Sequence, residues 1–173
     1  VNTTSQHITS SQAAKKTKKK LWEILTTVTD PEIPVLSIID LGIVQEVYVE
    51  NENVEVTITP TYSGCPAMDF IEINIRKTLL ENGFDKIQIT HQLSPAWTTD
   101  WMTEEGKEKL KSYGIAPPIS KAFDLDYLSN LSVHCPHCNS INTKLISQFG
   151  STACKALYQC EDCREPFDYF KCH

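Results

Sequence analysis

Residues 135–163 read CPHCNSINTKLISQFGSTACKALYQCEDC, two Cys-x-x-Cys pairs with 21 residues between them. Each pair closes a tight knuckle that aims two sulfurs at one ion, and the segment between can fold back as a hairpin that joins the knuckles. Pro136 stiffens the first knuckle and Asp162 favours the turn in the second. The spacing predicts a structural zinc ion held by Cys135, Cys138, Cys160 and Cys163. Iron in the same cage, or a transient iron–sulfur cluster, is the second reading, because four thiolates also suit iron. Disulfides would need an oxidising compartment, and the opening VNTTSQHITSSQ lacks the basic-then-apolar order of a secretory signal.

About 40 residues around these cysteines are too few to fold on apolar burial alone, so the metal must supply much of their stability. No apolar run approaches the roughly 18 residues that a membrane span requires. The expectation is a cytoplasmic protein with no membrane association. The net charge of −6 hides an asymmetry. Lys15, Lys16, Lys18, Lys19 and Lys20 are five of the 16 basic residues, and residues 1–20 contain no acid, which leaves 11 basic against 22 acidic residues elsewhere. Four thiolates on one zinc would add about two further negative charges. Such a body repels a phosphate backbone, so no nucleic-acid partner is expected.

Working outward from the cysteines, residues 1–15 are rich in Ser, Thr, Gln and Asn and read as a disordered tail. Leu21, Leu25 and Val28 fall at i, i+4 and i+7, which predicts a helix from about Lys16 to Val28, stopped before Asp30-Pro31. Alternation through Val47 and Val49, then Val54, Val56 and Ile58, predicts a hairpin around Asn51-Glu52-Asn53. A helix opens at Gly64-Cys65-Pro66, buries Ile71, Ile75 and Leu79, and stops at Asn82-Gly83. A third strand runs from Asp85 to Leu93, and a short helix starts at Thr103. The fold class is α+β: a small three-stranded α/β sandwich over residues 16–116, a linker over 117–131, and a zinc ribbon over 132–173.

Cys65 lies where strand turns into helix, against unpaired backbone N–H groups. That placement is expected to lower its pKa and favour the thiolate. The plainer reading is a small apolar residue filling a corner. Asp30, Glu32 and Asp40 are placed on loops near the sheet edge. They serve either as groups that shape the surroundings of Cys65 or as capping and turn residues. Trp97 and Trp101 are core residues or, if exposed together, a partner-binding surface. Cys154 and Cys172 are read as buried thiols or as additional ligands near the cage, and His134 and His137 as substitutes for a cysteine ligand. A thiol–disulfide oxidoreductase using CPHC is a weaker alternative, because two such pairs stand at metal spacing.

Taken together, Leu21-Trp22-Glu23-Ile24-Leu25, Asp30-Pro31-Glu32-Ile33-Pro34-Val35, Asp40-Leu41-Gly42 and Thr61-Tyr62-Ser63-Gly64-Cys65-Pro66 resemble a known domain family. It is the metal–sulfur cluster biosynthesis family, which includes the SufT-type and cytosolic iron–sulfur assembly factors. The stretch QLSPAWTTDWM at 92–102 and the tail from Phe149 to His173 resemble the D-component family of the phenylacetyl-CoA epoxidase system (PaaD, or PaaJ in some naming schemes). The resemblance covers about residues 20–173. It implies an accessory or maturation subunit of a multicomponent ring oxygenase in aerobic phenylacetate degradation, with no turnover of its own. It further implies help with iron–sulfur cluster assembly or delivery, the reductase component being the client. Cys65 would then be the transfer thiol, and since one cysteine cannot hold a cluster, a partner or a homodimer would complete the site. The alternative is a non-catalytic structural subunit of the complex that binds through the ribbon and the Trp97/Trp101 segment. The chain lacks a glycine-rich nucleotide loop and the Glu-x-x-His pairs of a di-iron bundle, so it resembles neither the reductase nor the oxygenase catalyst.

Overall fold

The computed structural model describes residues 4–50, 53–119, 128 and 131–171, with side chains from residue 15 onward. The first helix, α1, spans Thr4–Leu25. It starts well before Lys16, through residues whose composition predicts a disordered tail. No proline or glycine interrupts the first 30 residues, and Ala13 and Ala14 favour helix. It also ends before Val28. The Thr26 and Thr27 hydroxyls donate to the carbonyls of Glu23 and Ile24, both at 2.7 Å, competing with helix propagation well short of Pro31. Leu21, Leu25 and Val28 are buried as the periodicity requires.

Strands β1 (Val44–Glu50) and β2 (Asn53–Ile58) pair antiparallel, with Val47 opposite Val56 and Val49 opposite Val54. Helix α2 (Ala67–Glu81) then carries the chain to β3 (Lys86–His91), which pairs parallel to β2. A parallel neighbour demands such a crossover, and α2 meets the need by burying Ala67, Met68, Ile71, Ile75 and Leu79. Pro66 takes the N-cap position, one residue earlier than the first helical turn. Asn82 ends the helix, and Gly83 follows at φ 87°.

The Asp40-Leu41-Gly42 turn has a packing reason for its glycine. Gly42 has φ 65°, and a Cβ there would lie 2.2 Å from the Trp101 carbonyl oxygen. Trp97 and Trp101 are not an exposed helical pair. Thr99–Trp101 is a single 3₁₀ turn. Trp97 is 5% exposed, donates its Nε1 proton to the Leu41 carbonyl at 2.9 Å, and meets Phe170 edge-on at 6.1 Å. Trp101 is half-buried against the same core. Of the two readings, Trp97 takes that of a core residue and is no exposed partner contact, because the Gly42 turn accepts its indole directly.

Helix α3 (Glu104–Ser112) is capped by Thr103, whose hydroxyl accepts from the Gly106 N–H at 2.9 Å. Beyond it, β4 (Ile115–Ala116), β5 (Thr143–Ser147), β6 (Lys155–Cys160) and β7 (Pro166–Phe170) form a second sheet in the order β4-β7-β6-β5. The boundary expected after residue 116 thus falls one strand late. Ile115 and Ala116 pair with Asp168 and Tyr169 of the ribbon. Ile115, Cys154 and Phe170 in turn reach into the core of the first module.

Candidate functional site

Four sulfurs converge at one end of the second sheet. The Sγ atoms of Cys135, Cys138, Cys160 and Cys163 all lie within 4.8 Å of one another. Cys135 and Cys163 are 3.7 Å apart, and Cys138 and Cys160 are 3.6 Å apart. A tetrahedron with metal–sulfur bonds of about 2.3 Å has edges of about 3.8 Å. Two edges of the cage therefore match a tetrahedral four-thiolate ion, and the others lie within 4.8 Å.

The two knuckles are built alike. The Cys135 N–H donates to Ser140 O at 2.9 Å, and the Cys160 N–H to Glu165 O at 3.0 Å. The fourth residue after each leading cysteine turns left-handed, Asn139 at φ 62° and Arg164 at φ 68°. Asp162 does more than favour its turn. Its carboxylate accepts from the Ser140 hydroxyl and from Asn142 Nδ2 at 2.8 Å, tying one knuckle to the other.

The thiols are electrically unequal. The Cys163 and Asp162 N–H groups bring Cys160 down to about 7 against its burial. Cys163, although the Glu165 N–H lowers it, is driven to about 12 by burial and the three neighbouring sulfurs. Four thiolates cannot share this space without a cation to hold them. His134 is exposed and contacts Asn139 O at 3.3 Å, and neither His134 nor His137 joins the convergent ligands.

A second cluster lies where the ribbon meets the first module. Cys154 is not an additional ligand of the cage. Strand β6, Lys155–Cys160, separates them, and six extended residues at about 3.3 Å each span about 20 Å. Spacing along the chain suggests proximity, but strand geometry sends Cys154 to the opposite end of the sheet. There it is 6% exposed, and its thiol donates to Glu32 Oε2 at 3.7 Å, with Thr152 Oγ1 3.1 Å away. Cys172 lies outside the described residues.

Cys65 and Tyr62 pack against the core that holds Cys154. The helix-end effect expected at Cys65 is real but loses. Burial raises its pKa, and Glu32 and Asp30 push the same way, against the Ala67 N–H and the Tyr62 side chain that lower it. The thiol is held protonated where the sequence suggests a thiolate. Tyr62 is also raised, by burial first and then by its hydrogen bond with Cys65 and the nearby Cys65, Cys154 and Glu32. Burial takes Cys154 to about 11.

The three acids separate into two groups. Asp30 Oδ1 accepts from the N–H groups of Glu32 and Ile33, each at 2.8 Å, so it holds the turn and presents Glu32 to Cys154. Asp40 turns the other way. It accepts from the Ser37 N–H at 2.9 Å and hydroxyl at 2.8 Å, and pairs with Lys109 at 2.9 Å, which anchors α3. Asp40 thus braces the frame, while Glu32 lies beside the Cys154 thiol and Asp30 holds its turn. Sequence reasoning missed Tyr62, Thr152 and Lys155, since nothing local signals that loops about 90 residues apart share one junction.

Comparison with known proteins finds two family matches along the chain. Residues 18–83 match the iron–sulfur cluster assembly protein family, and residues 125–171 match the PaaD zinc beta ribbon domain. An Escherichia coli (strain K12) protein named as the D component of a 1,2-phenylacetyl-CoA epoxidase is 52% identical over 153 residues, covering 88% of this chain and 92% of the relative. An Fe-S protein maturation auxiliary factor of Porphyromonas gingivalis (strain ATCC BAA-308 / W83) is 38% identical over 97 residues, covering 55% of this chain and 91% of that protein. A DUF59 domain structure from Bacillus anthracis, of unknown function, superposes with TM-score 0.55 at 30% identity, over 58% of this chain and 96% of that one.

Proposed function

The chain belongs to the D-component family of phenylacetyl-CoA epoxidases, and from that premise we propose that it is an accessory subunit of such an epoxidase, acting in iron–sulfur cluster assembly or delivery. The observation that carries this reading is the union, in one chain, of an iron–sulfur assembly module bearing Cys65 at its strand-to-helix turn with a four-cysteine ribbon. The client is the iron–sulfur reductase component, and the chain has no turnover of its own. Zinc fills the ribbon cage, because closed four-thiolate tetrahedra serve structural rather than catalytic ions. Among the described residues no helix is long and apolar enough to cross a membrane.

Two features support the reading: β4, which follows α3, pairs with β7 of the ribbon, and Cys65 packs on the core to which Ile115, Cys154 and Phe170 contribute. A purely structural subunit, the second reading, would bind through the ribbon, since Trp97 is buried inside the protein. The test is to express the reductase with and without this chain and measure its iron and acid-labile sulfide. Reductase lacking its cluster in the chain's absence, and restored by wild type but not by Cys65→Ala, is the expected result. A cluster-replete reductase made without the chain defeats the proposal.

A further inference from the structure

The sheet β1-β2-β3 buries one face and leaves an acidic one outside. Val47, Val54, Val56 and Ile58 turn into the core with Leu21, Leu25, Ile71 and Ile75 of α1 and α2. Alternation along the strands sends Glu46, Tyr48, Glu50 and Glu55 to the opposite face, where Glu55 lies between Tyr48 and Gln88. Glu46, Tyr48, Glu50 and Gln88 are exposed, Tyr48 to 51%. Among the described elements the helices that contact this sheet are α1 and α2, which share its buried face. Among the described residues Glu46 and Glu50 have no ion-pair partner.

The complementary charge sits on α1. Lys15, Lys16, Lys18, Lys19 and Lys20 are all exposed. Lys19 is tied loosely to Glu23 at 3.8 Å, and Lys20 lies over the Phe84 ring at 5.8 Å. Among the described residues Lys15, Lys16 and Lys18 have no acidic partner. At about 100° per residue, Lys15 and Lys16 fall on the side of α1 opposite the buried stripe of Leu21, Ile24 and Leu25. No proline or glycine bends α1 back. Its lysine face is therefore turned away from the acidic sheet face of its own module, which lies beyond the core.

We propose that α1 of one copy lays Lys15 and Lys16 on the Glu46, Tyr48 and Glu50 face of a second copy, and the reverse, so that two chains form a two-fold dimer. This goes beyond the maturation role and does not depend on it. The chemistry matches on both sides. Glu46, Glu50 and Glu55 accept from ammonium groups, and the Tyr48 ring among them takes a lysine stem or a cation over its face. Residues 1–20 hold no acid, while the remainder carries 11 basic against 22 acidic residues, so opposite patches of two copies attract. A nucleic acid or an anionic membrane would meet the lysines but be repelled by that acidic remainder. Exposed ion pairs are individually weak, so the dimer is reversible and governed by salt.

Sedimentation equilibrium of the full chain, its ribbon filled with zinc, reads the association at about 10–500 µM protein. Wild type is expected to dimerise at about 20 mM salt, with a dissociation constant at least about tenfold higher at about 300 mM. Lys15→Glu/Lys16→Glu and Glu46→Lys/Glu50→Lys are each expected to be monomeric, with unchanged zinc content and circular dichroism. The decisive sample is their equimolar mixture. Each variant there supplies the charge that the other's contact lacks, and a heterodimer should form. Wild type that stays monomeric overturns the proposal, whether or not it binds duplex DNA or phosphatidylserine vesicles. So does a dimer indifferent to salt, a variant that dimerises like wild type, or a mixture that stays monomeric. None of these results bears on the cluster content of the reductase, which tests the maturation role separately.

Discussion

The two modules reach order by different routes, and the contrast shows what each needs. Among the described residues the larger core holds 25 buried residues, Val56, Ile58, Ile71, Ile75 and Leu79 of the first module among them, with Ile115, Cys154 and Phe170 reaching in from the second sheet. Among the described residues the ribbon core has nine, and two of them are the cage cysteines Cys135 and Cys160. Apolar burial at about 25 cal/mol per Å² sustains the larger cluster. In the smaller one the cation takes the place of the missing core. Their stabilities should therefore respond to different insults.

The largest effect should come from the cage. Apparent binding energies for structural zinc in small domains are about 10–16 kcal/mol. Cys160→Ser, or strong chelation, is expected to abolish amide protection in β5–β7 while α2 and β1–β3 remain protected. Hydrogen exchange read by mass spectrometry checks this, and a ribbon that stays protected when metal-free would erase the contrast. The reciprocal insult is Ile75→Ala in the fully buried face of α2. It should cost about 2–5 kcal/mol in denaturant unfolding of the first module, with metal per chain unchanged.

Gly42→Ala comes next. The left-handed backbone and the 2.2 Å approach of Trp101 O leave no room for a Cβ, so a loss above about 1 kcal/mol is expected. Thermal unfolding measures it, and a neutral outcome would mean that the tryptophan segment is free to move.

The two buried aspartates sharpen the comparison through pH. Burial alone would raise Asp40, but Ser37 and Lys109 hold it below its ordinary 3.8. Its stabilisation is thus present above pH 3.8 and is lost as pH falls through the lower folded value. Asp30 is the opposite case. Burial raises it above 3.8 despite the N–H groups of Ile33 and Glu32. Its favourable contribution is complete below 3.8 and is lost as pH rises through the folded value. Melting temperatures at about pH 7 should fall for Asp40→Asn. They should hold or rise for Asp30→Asn, whose amide oxygen can still accept both N–H bonds. The smallest effect belongs to Lys19→Ala. Its pair with Glu23 is 82% and 66% exposed at 3.8 Å, and a change within about 0.5 kcal/mol is expected.

Much of this is legible in the sequence. The strand alternation at Val47–Ile58, the buried stripe of α2 and the two knuckles depend on contacts with nearby residues or on a repeat of fixed period. The Asp30 and Asp40 turns are legible as capping residues for the same reason. The thiolate expected at Cys65 is not found, because a helix end is a local effect whereas desolvation and the charges of Glu32 and Asp30 arrive through folding. The Trp97 surface fails likewise, its indole closing on a carbonyl 56 residues away.

The sequence by itself determined the metal cage, the module order and the family, since cysteine spacing and hydrophobic period act over a few residues at a time. Tertiary structure alone decided that Cys154 leaves the cage and faces Glu32. An extended strand carries direction over about 20 Å, and only the pairing of β4 with β7 fixes which surface of the first module that strand's far end will meet.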